Sequence, residues 1–328
     1  MKKKGIWTIL WLLFFMGFLA SLAIGRNNLT IKELIAALLR QGTTAQQLIV
    51  YDFRMPRLFV SIFAGAGLAV SGYLFQTITH NDLADPGILG INSGAGLLVL
   101  LYLGFFSNQQ TTGFLPIIAC LGSFIAAILV YICGKQRQRF DSNRLLLAGV
   151  AVNAGISAIT LLATVQISTD SYRFVTAWLS GTIWGTTWKH VGMLAPGIFV
   201  ILPFILLQGK HLEVIELGDE EAIGLGVPLR KKQIFFLCCA IILAAISVSV
   251  AGSISFIGLI APHIAKGILQ RKNNQAILMT AMIGTLILLY SDVLGRILLP
   301  NGEMAAGIIV SIIGAPYFIF QLLKKSVQ

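Results

Sequence analysis

Three arginines stand next to long apolar runs, where a positive charge is unfavourable unless it has a partner or a function. Arg54 and Arg57 flank the short sequence Met-Pro before one such run, and Arg296 lies at the end of another. Arginine stays charged and binds carboxylates through two parallel hydrogen bonds. These residues could therefore recognise acidic groups on a partner, or they could anchor helix ends at lipid headgroups.

A second set of charges lies between two apolar runs, in the sequence HLEVIELGDEEAIGLGVPLRKK at residues 211–232. The acidic residues 219–221 precede the basic residues 230–232, which is the order that a helix dipole favours. Gly224 and Gly226 would then end a short helix. Taken alone, these residues fit a helix lying on the membrane surface and a docking helix for a cytoplasmic partner equally well.

Some polar residues fall inside apolar runs. Asp292 and His263 could form a proton relay, because ionisable groups at membrane depth are often functional. The simpler interpretation pairs Asp292 with Arg296, four residues later on the same helix face, and gives His263 a packing role. Asn153 and Gln166, in one predicted helix, could face a transport path.

The sequence contains no G-x-x-x-x-G-K-[ST] phosphate loop, no H-E-x-x-H motif and no nucleophile elbow. It also has no paired acids suited to general acid and base catalysis, and no cluster of metal ligands. We therefore assign no catalytic residues and no metal site. The chain is not expected to be an enzyme or an ATPase.

The elements that position these residues are membrane helices. Hydrophobic residues make up 56% of the 328 residues and charged residues 11%, where a soluble domain carries about 25% charged residues. The net charge of +11 is explained by basic loops beside a membrane and does not indicate a nucleic-acid partner. The fold class is an all-α polytopic membrane protein, with residues 1–328 as a single transmembrane domain.

We predict about ten transmembrane helices, since a bilayer core of roughly 30 Å needs about 20 apolar residues. A short surface helix is expected near residues 31–39, and residues 168–189 are expected to form a loop whose tryptophans lie at the membrane interface. The ten segments are residues 5–25, 57–76, 87–106, 113–134, 144–167, 190–208, 232–250, 254–269, 275–297 and 304–323.

The positive charges orient these helices. An even number of segments places both termini on one side of the membrane. If that side is the cytoplasm, sixteen of the 24 lysines and arginines are cytoplasmic, as the positive-inside rule expects. Arg54, Arg57 and Arg296 are then outside, where the rule disfavours them.

Seven stretches, in order, resemble the FecCD-type ABC permeases, which are membrane subunits of importers for ferric siderophores, haem and cobalamin. The resemblance extends from about residue 50 to 323. The stretches are RMPR at 54–57, SGYLFQ at 71–76, NDLADPGILGINSGAG at 81–96, GDEEAIGLGV at 218–227, GSISFIGLIAPHIAKGI at 252–268, SDVLGR at 291–296 and the C-terminal NGEMAAGIIVSIIGAPYFIFQLL.

This resemblance implies a type II ABC importer permease architecture and a set of partners. The expected partners are a second permease subunit, identical or paralogous, two cytoplasmic ATPase subunits, an extracytoplasmic substrate-binding protein and the membrane lipid. The path for the substrate would lie between the two permease subunits. ATP and Mg²⁺ would be bound by the ATPases, and no cofactor by this chain.

The resemblance also implies roles for three groups of residues. Docking of the binding protein is expected at Arg54, Arg57 and Arg296. Coupling to the ATPase is expected in a helix at about residues 213–228, through Gly218, Asp219, Glu220, Glu221, Ala222, Gly224 and Gly226. The third group consists of candidates for the gate or path, and we add to it the two polar residues of one helix noted above. The full set is Gln76, Asn81, Asp85, Pro86, Asn153, Gln166, Ser255, Pro262 and His263.

The function predicted on this basis is import of an intact iron(III)–siderophore complex by alternating access, across the bacterial cytoplasmic membrane and with both termini cytoplasmic. Haem or cobalamin could be carried by the same architecture. A rival from another class is an ion-coupled secondary transporter that uses Asp292 and His263. The sequence leaves open the chelate and the identity of the second permease subunit.

Overall fold

The computed structural model describes residues 3–25, 28–105, 113–135, 142–269, 274–299 and 302–326. Several charges of the orientation argument lie outside the described residues, namely Lys2, Arg26, Arg137, Arg139, Arg271 and Lys272. Throughout the described ranges the regular structure is helical, without a strand.

Fifteen α-helices follow one another in the described chain, together with a π-helix at Ile49–Arg54 and a 3₁₀ turn at Pro86–Leu89. They are α1 Lys3–Ala23, α2 Ile31–Leu38, α3 Thr44–Leu48, α4 Met55–Thr79, α5 Ile91–Phe105, α6 Leu115–Gly134, α7 Ser142–Thr164, α8 Thr169–Leu179, α9 Trp188–Leu207, α10 Gly209–Ile215, α11 Asp219–Gly224, α12 Leu229–Ala251, α13 Ile257–Leu269, α14 Asn274–Ile297 and α15 Ala306–Ser326.

Each of the ten predicted membrane segments corresponds to one of the long helices, so the predicted all-α polytopic fold is confirmed. By length and composition, seven helical stretches of the described residues can cross a membrane. The other three apolar helices, α5, α13 and the apolar part of α15, are shorter. The predicted surface helix is also confirmed, as α2, and Thr30 and Glu33 form a capping box at its start.

Helix α4 lies at the centre of the molecule and packs against α9, α12, α13 and α14. Small residues allow these close crossings, as expected where lipid provides no hydrophobic drive between helices. At Gly72 an added Cβ would clash with the carbonyl oxygen of Gly258 in α13. The same holds at Gly65, whose Cβ would lie 2.6 Å from the carbonyl oxygen of Gly284 in α14.

The structure differs from two local predictions. Residues 168–189 were expected to form a loop, yet they contain α8, which begins after the N-cap Ser168. Trp178 is buried in that helix and does not form part of an interfacial belt, whereas Trp184 and Trp188 are exposed. The single helix expected at about 213–228 is two short helices, α10 and α11, because the chain turns between them and Gly218 has a φ of +143°.

Candidate functional site

A polar cavity of about 760 Å³ runs beside α5, α7 and α8. It is bordered also by the turn before α5, the connection between α12 and α13, and α15. Its wall consists of Leu83, Asp85, Gly87, Ile88, Asn92, Ser93, Gly96, Asn153, Ser157, Thr160, Leu161, Thr164, Tyr172, Thr176, Leu179, Ser253, Ser255, Phe256, Leu259 and Phe318. Hydroxyl and amide groups therefore line a space within an otherwise apolar protein.

Helix α7 contributes a polar stripe to this wall. Asn153, Ser157, Thr160 and Thr164 all line the cavity, and their spacing of four, three and four residues places them on one helix face. From the sequence we singled out Asn153 alone. The stripe is a signal that was available, because a polar row at helical spacing stands out in a helix that is apolar elsewhere.

Asp85 and Asn153 each form hydrogen bonds with the turn between α4 and α5. The Asp85 carboxylate oxygen Oδ1 accepts a hydrogen bond of 2.7 Å from the backbone N–H of Gly87, which caps the 3₁₀ turn. The Asn153 amide donates to the carbonyl oxygen of Ile88 at 3.0 Å and accepts from the Ser93 hydroxyl at 2.5 Å. These bonds fix the Asp85 carboxylate on the cavity wall, where burial raises its pKa to about 6.

The structure brings three of the nine predicted path residues to this cavity, namely Asp85, Asn153 and Ser255. Gln76 is instead buried between helices, where its amide donates to the carbonyl oxygens of Gly258 and Leu259 at 3.3 Å. A glutamine between two close helix crossings can satisfy backbone carbonyls in this way.

The other five predicted path residues also lie off the cavity wall. Pro86 is buried at the start of the 3₁₀ turn, and Asn81 accepts a hydrogen bond from the Leu83 N–H in the preceding turn. Gln166 is exposed beyond the end of α7. Within α13, Pro262 is buried, and the His263 ring packs edge to face against Tyr317 at a centroid distance of 5.9 Å.

The three predicted docking arginines lie together at the other end of α4. Arg57 forms ion pairs with Asp292 at 2.7 Å and with Glu303 at 2.6 Å. Arg296 pairs with the second oxygen of Asp292, so the expected pairing of these two residues along α14 is confirmed. One buried carboxylate thus holds two guanidinium groups.

Arg54 and Arg296 also satisfy the end of α1. The Arg54 guanidinium donates to the carbonyl oxygens of Leu22 at 2.5 Å and Ala23 at 2.9 Å. Arg296 donates to the carbonyl oxygen of Ser21 at 2.8 Å. The last carbonyls of a helix have no partner within the helix, and these arginines provide one.

This arrangement departs from the expectation of three arginines offered to a partner. Arg54 is 6% exposed and Arg296 is 8% exposed, since both turn inward onto α1. The Arg57 side chain is 12% exposed, and that of its partner Glu303 is 30% exposed. A second cavity, of about 860 Å³, opens beside Arg57, Arg296 and Glu303. Glu303 was not identified from the sequence, because it lies far from Arg57 along the chain.

We call residues 209–226, with α10 and α11, the coupling segment, after the role that the family resemblance predicts for it. Ionic and polar contacts tie it to the membrane helices. Asp219 contacts the ring nitrogen Nε2 of His80, just after α4, at 3.1 Å and accepts a hydrogen bond from the Gln233 amide in α12 at 3.2 Å. Glu216 pairs with Lys266 of α13 at 3.5 Å.

The outward side of the coupling segment is apolar and uncovered. Exposed there are Leu217, Ile223 and Leu225, each more than 60% accessible. Among the predicted coupling residues, Glu220, Glu221, Gly224 and Gly226 are exposed, whereas Ala222 is buried and Gly218 forms the turn before α11. Three exposed large apolar side chains on one short segment fit a contact with a protein or with the membrane surface.

Within the part of the chain that the structure describes, no three histidine, cysteine, aspartate or glutamate side chains are grouped as metal ligands. Asp292 is held by two arginines and His263 packs on an aromatic ring, so neither is placed as part of a proton relay.

Known proteins match this chain over almost its full length. A model of the FecCD transport family matches residues 12–324. The chain is 35% identical to the iron(3+)-hydroxamate import system permease protein FhuG of Bacillus subtilis, covering 99% of this chain and 98% of that protein. It is 33% identical to the Fe(3+) dicitrate transport system permease protein FecC of Escherichia coli, covering 86% and 85% of the two chains.

A solved structure shows the same architecture. The chain superposes on a metal-chelate type ABC transporter in an inward-facing conformation with a TM-score of 0.83 and 26% identity, covering 98% of this chain and 99% of that one. With PsaBC of Streptococcus pneumoniae, at 16% identity and a TM-score of 0.59, it shares the fold alone. The chain belongs to the FecCD transport family and is a permease subunit of an ABC importer, not an enzyme.

Proposed function

We propose that this chain is the membrane permease that carries an intact iron(III)–siderophore complex into a bacterial cell across the cytoplasmic membrane. The observation that carries the proposal is the match over nearly the whole chain to permeases named for iron–hydroxamate and iron–citrate import. The polar cavity is consistent with it, because a wall that combines hydroxyl and amide groups with apolar side chains can contact a large polar solute without holding it tightly.

In this proposal the chain works with partners. A second permease subunit, identical or paralogous, completes the path, and two cytoplasmic ATPases bind ATP and Mg²⁺. The coupling segment docks on an ATPase through Leu217, Ile223 and Leu225. Its contacts with His80 and Lys266 would transmit ATPase movement to α4 and α13, so that the cavity opens to one side of the membrane at a time.

An extracytoplasmic binding protein delivers the chelate at the opposite end of α4. Glu303, paired with Arg57, is the most accessible member of the arginine cluster, so we place the docking contact at this ion pair. Arg54 and Arg296 support it from behind by holding the end of α1. Both termini are then cytoplasmic, as the distribution of lysine and arginine favours.

The test is uptake of radiolabelled iron by a bacterial strain that lacks this chain, with and without the chain restored. The panel contains ferric siderophores, haem and cobalamin, and the cognate partners are co-expressed. We expect restored uptake of at least one iron–siderophore complex. Rescue of cobalamin or haem alone would retain the importer and overturn the substrate, and failure of every compound would overturn the proposal.

A further inference from the structure

Helix α2 is packed on one side and carries an uncovered apolar stripe on another. Leu34 and Ala37 are buried in a small core against the end of α1 and the π-helix before α4. Ile31, Ile35 and Leu39 are 74%, 51% and 62% exposed. Their spacing of four residues places them in one row along the helix. We call these three residues the α2 stripe.

The segment that presents the α2 stripe is held in place by hydrogen bonds. A capping box begins α2, and another begins α3. The Gln46 amide of α3 donates to the Glu33 carboxylate of α2 at 3.2 Å. The Tyr51 hydroxyl donates to the carbonyl oxygen of Leu38 at 2.9 Å, which joins α2 to the π-helix. The stripe therefore has a fixed orientation relative to the start of α4.

The elements next to this segment are membrane helices. Helix α1, which ends just before α2, is long and apolar enough to cross a membrane. Trp188, at the start of α9, is 44% exposed, and its indole N–H donates to the carbonyl oxygen of Tyr51 at 2.9 Å. Tryptophan and tyrosine are enriched at the membrane–water interface, which places α2 at that level. Large apolar side chains are exposed along α1, namely Trp11, Leu12, Phe15, Met16 and Leu19.

Basic residues border the α2 stripe. Lys32 and Arg40 are exposed beside it, and the Arg40 guanidinium lies 5.6 Å from the centroid of the Tyr51 ring. An apolar stripe edged by basic residues is typical of helices that lie in the membrane interface, where long basic side chains reach the headgroups. Neither of the two cavities has a described lining residue in α2, so the stripe belongs to neither site.

We propose that α2 lies flat in the membrane interface at the end of α4 that carries the arginine cluster. The α2 stripe inserts among the upper acyl chains of the phospholipids, and Lys32 and Arg40 contact their headgroups. The partner is the bilayer itself, so the proposal goes beyond the import function and does not depend on which chelate is carried. Through Tyr51, the bilayer surface then helps to hold the start of α4.

The test compares two neighbouring positions of α2, Ile35→Cys and Ala36→Cys, each labelled with a fluorophore. Successive residues are about 100° apart around a helix, so Ala36 points away from Ile35. The assembled importer is placed in lipid nanodiscs. Quenching by phospholipids brominated near the top of the acyl chain is measured, and so is quenching by iodide in the water. Alanine first replaces the native cysteines, which are Cys120, Cys133, Cys238 and Cys239.

For Ile35→Cys we expect quenching by the brominated lipid to be at least about twofold stronger than for Ala36→Cys, because an interfacial helix buries its apolar side roughly 5–10 Å deep. Iodide quenching should show the opposite order. Ile31→Cys, one turn earlier in the α2 stripe, should behave like Ile35→Cys. This variant provides a second measurement if the first label disturbs the helix.

Strong iodide quenching with weak lipid quenching at Ile35→Cys would place the α2 stripe in water and overturn the proposal. Weak quenching by both would mean that a protein covers the stripe, which would also overturn it. Repeating the measurement without the binding protein would then show whether that protein is the cover. These outcomes leave the proposed import function untouched, because the uptake of labelled iron tests it separately.

Discussion

Asp292 is the residue on which the arginine cluster depends. It is 1% exposed, and its two oxygens are divided between Arg57 and Arg296. A buried cation that loses its partner is strongly unfavourable, whereas an exposed ion pair contributes little. The network contains a buried pair and a more exposed one, because Glu303 binds Arg57 from a partly exposed position.

We therefore predict that Asp292→Ala lowers the free energy of unfolding by roughly 3–5 kcal/mol, since two guanidinium groups lose their shared carboxylate. The midpoint of thermal unfolding of the purified chain in detergent measures the effect. Glu303→Gln is the control and should cost about 1 kcal/mol or less. Equal losses in the two variants would contradict the assignment of Asp292 as the central partner.

At the scale of helices, the crossing of α4 and α13 depends on the absence of a side chain. Gly72 faces the backbone of Gly258 so closely that no rotamer change in a neighbour could relieve a clash. The contact joins the central helix to the helix that carries Lys266. Backbone contacts of this kind compensate for the missing hydrophobic drive between helices in lipid.

Gly72→Ala is expected to destabilise the chain by about 1–3 kcal/mol, because the added methyl group must push two backbones apart. Gly155→Ala in α7 provides the comparison. No atom lies within 4 Å of the position where its Cβ would be, and alanine favours a helix over glycine. Thermal unfolding in detergent should show a loss for the first variant and none for the second, and a loss of similar size in both would refute the crossing argument.

At the scale of the whole molecule, the coupling segment and the arginine cluster lie at opposite ends of α4. Asp219 contacts His80 just beyond one end of the helix, while Arg57 stands in the first turn at the other end. Glu216 adds a link to α13 through Lys266. A rigid central helix with partners at both ends is suited to transmit movement from one side of the membrane to the other.

This arrangement predicts the effect of a bulky residue on the outer side of the coupling segment. Gly224 has no atom within 4 Å of an added Cβ, so Gly224→Trp should leave the chain folded and disturb the fit to an ATPase. In the assembled importer we expect uptake to fall roughly tenfold, the size of effect typical of an interface hot spot. ATP hydrolysis should continue, so that less substrate is transported for each ATP hydrolysed.

Gly192→Trp is the control for this variant, because its Cβ position is equally open and it stands near the start of α9, whereas the coupling segment follows the end of that helix. It should retain both ATP hydrolysis and uptake. If Gly224→Trp transported at the wild-type rate, the coupling segment could not be the contact with the ATPase.

The fold class, the ten helices and the family resemblance could all be predicted from the sequence. Length and apolar content decide whether a helix crosses a membrane, and both are local properties. The pair of Asp292 and Arg296 was predictable for the same reason, since residues four apart share a helix face. The polar row of α7 could have been found in the same way, from Asn153 to Thr164.

What these residues contact could not be predicted from the sequence, because it depends on how the helices pack. Arg54 and Arg296 turn inward because the carbonyls at the end of α1 lie beside them, and nothing near them in sequence indicates this. The helices that surround Gln76 and Asp85 likewise decide that the first is buried between helices and the second lines a cavity. Which side of a membrane helix meets a neighbour depends on contacts between residues distant in sequence. The amino-acid composition of a helix does not predict those contacts.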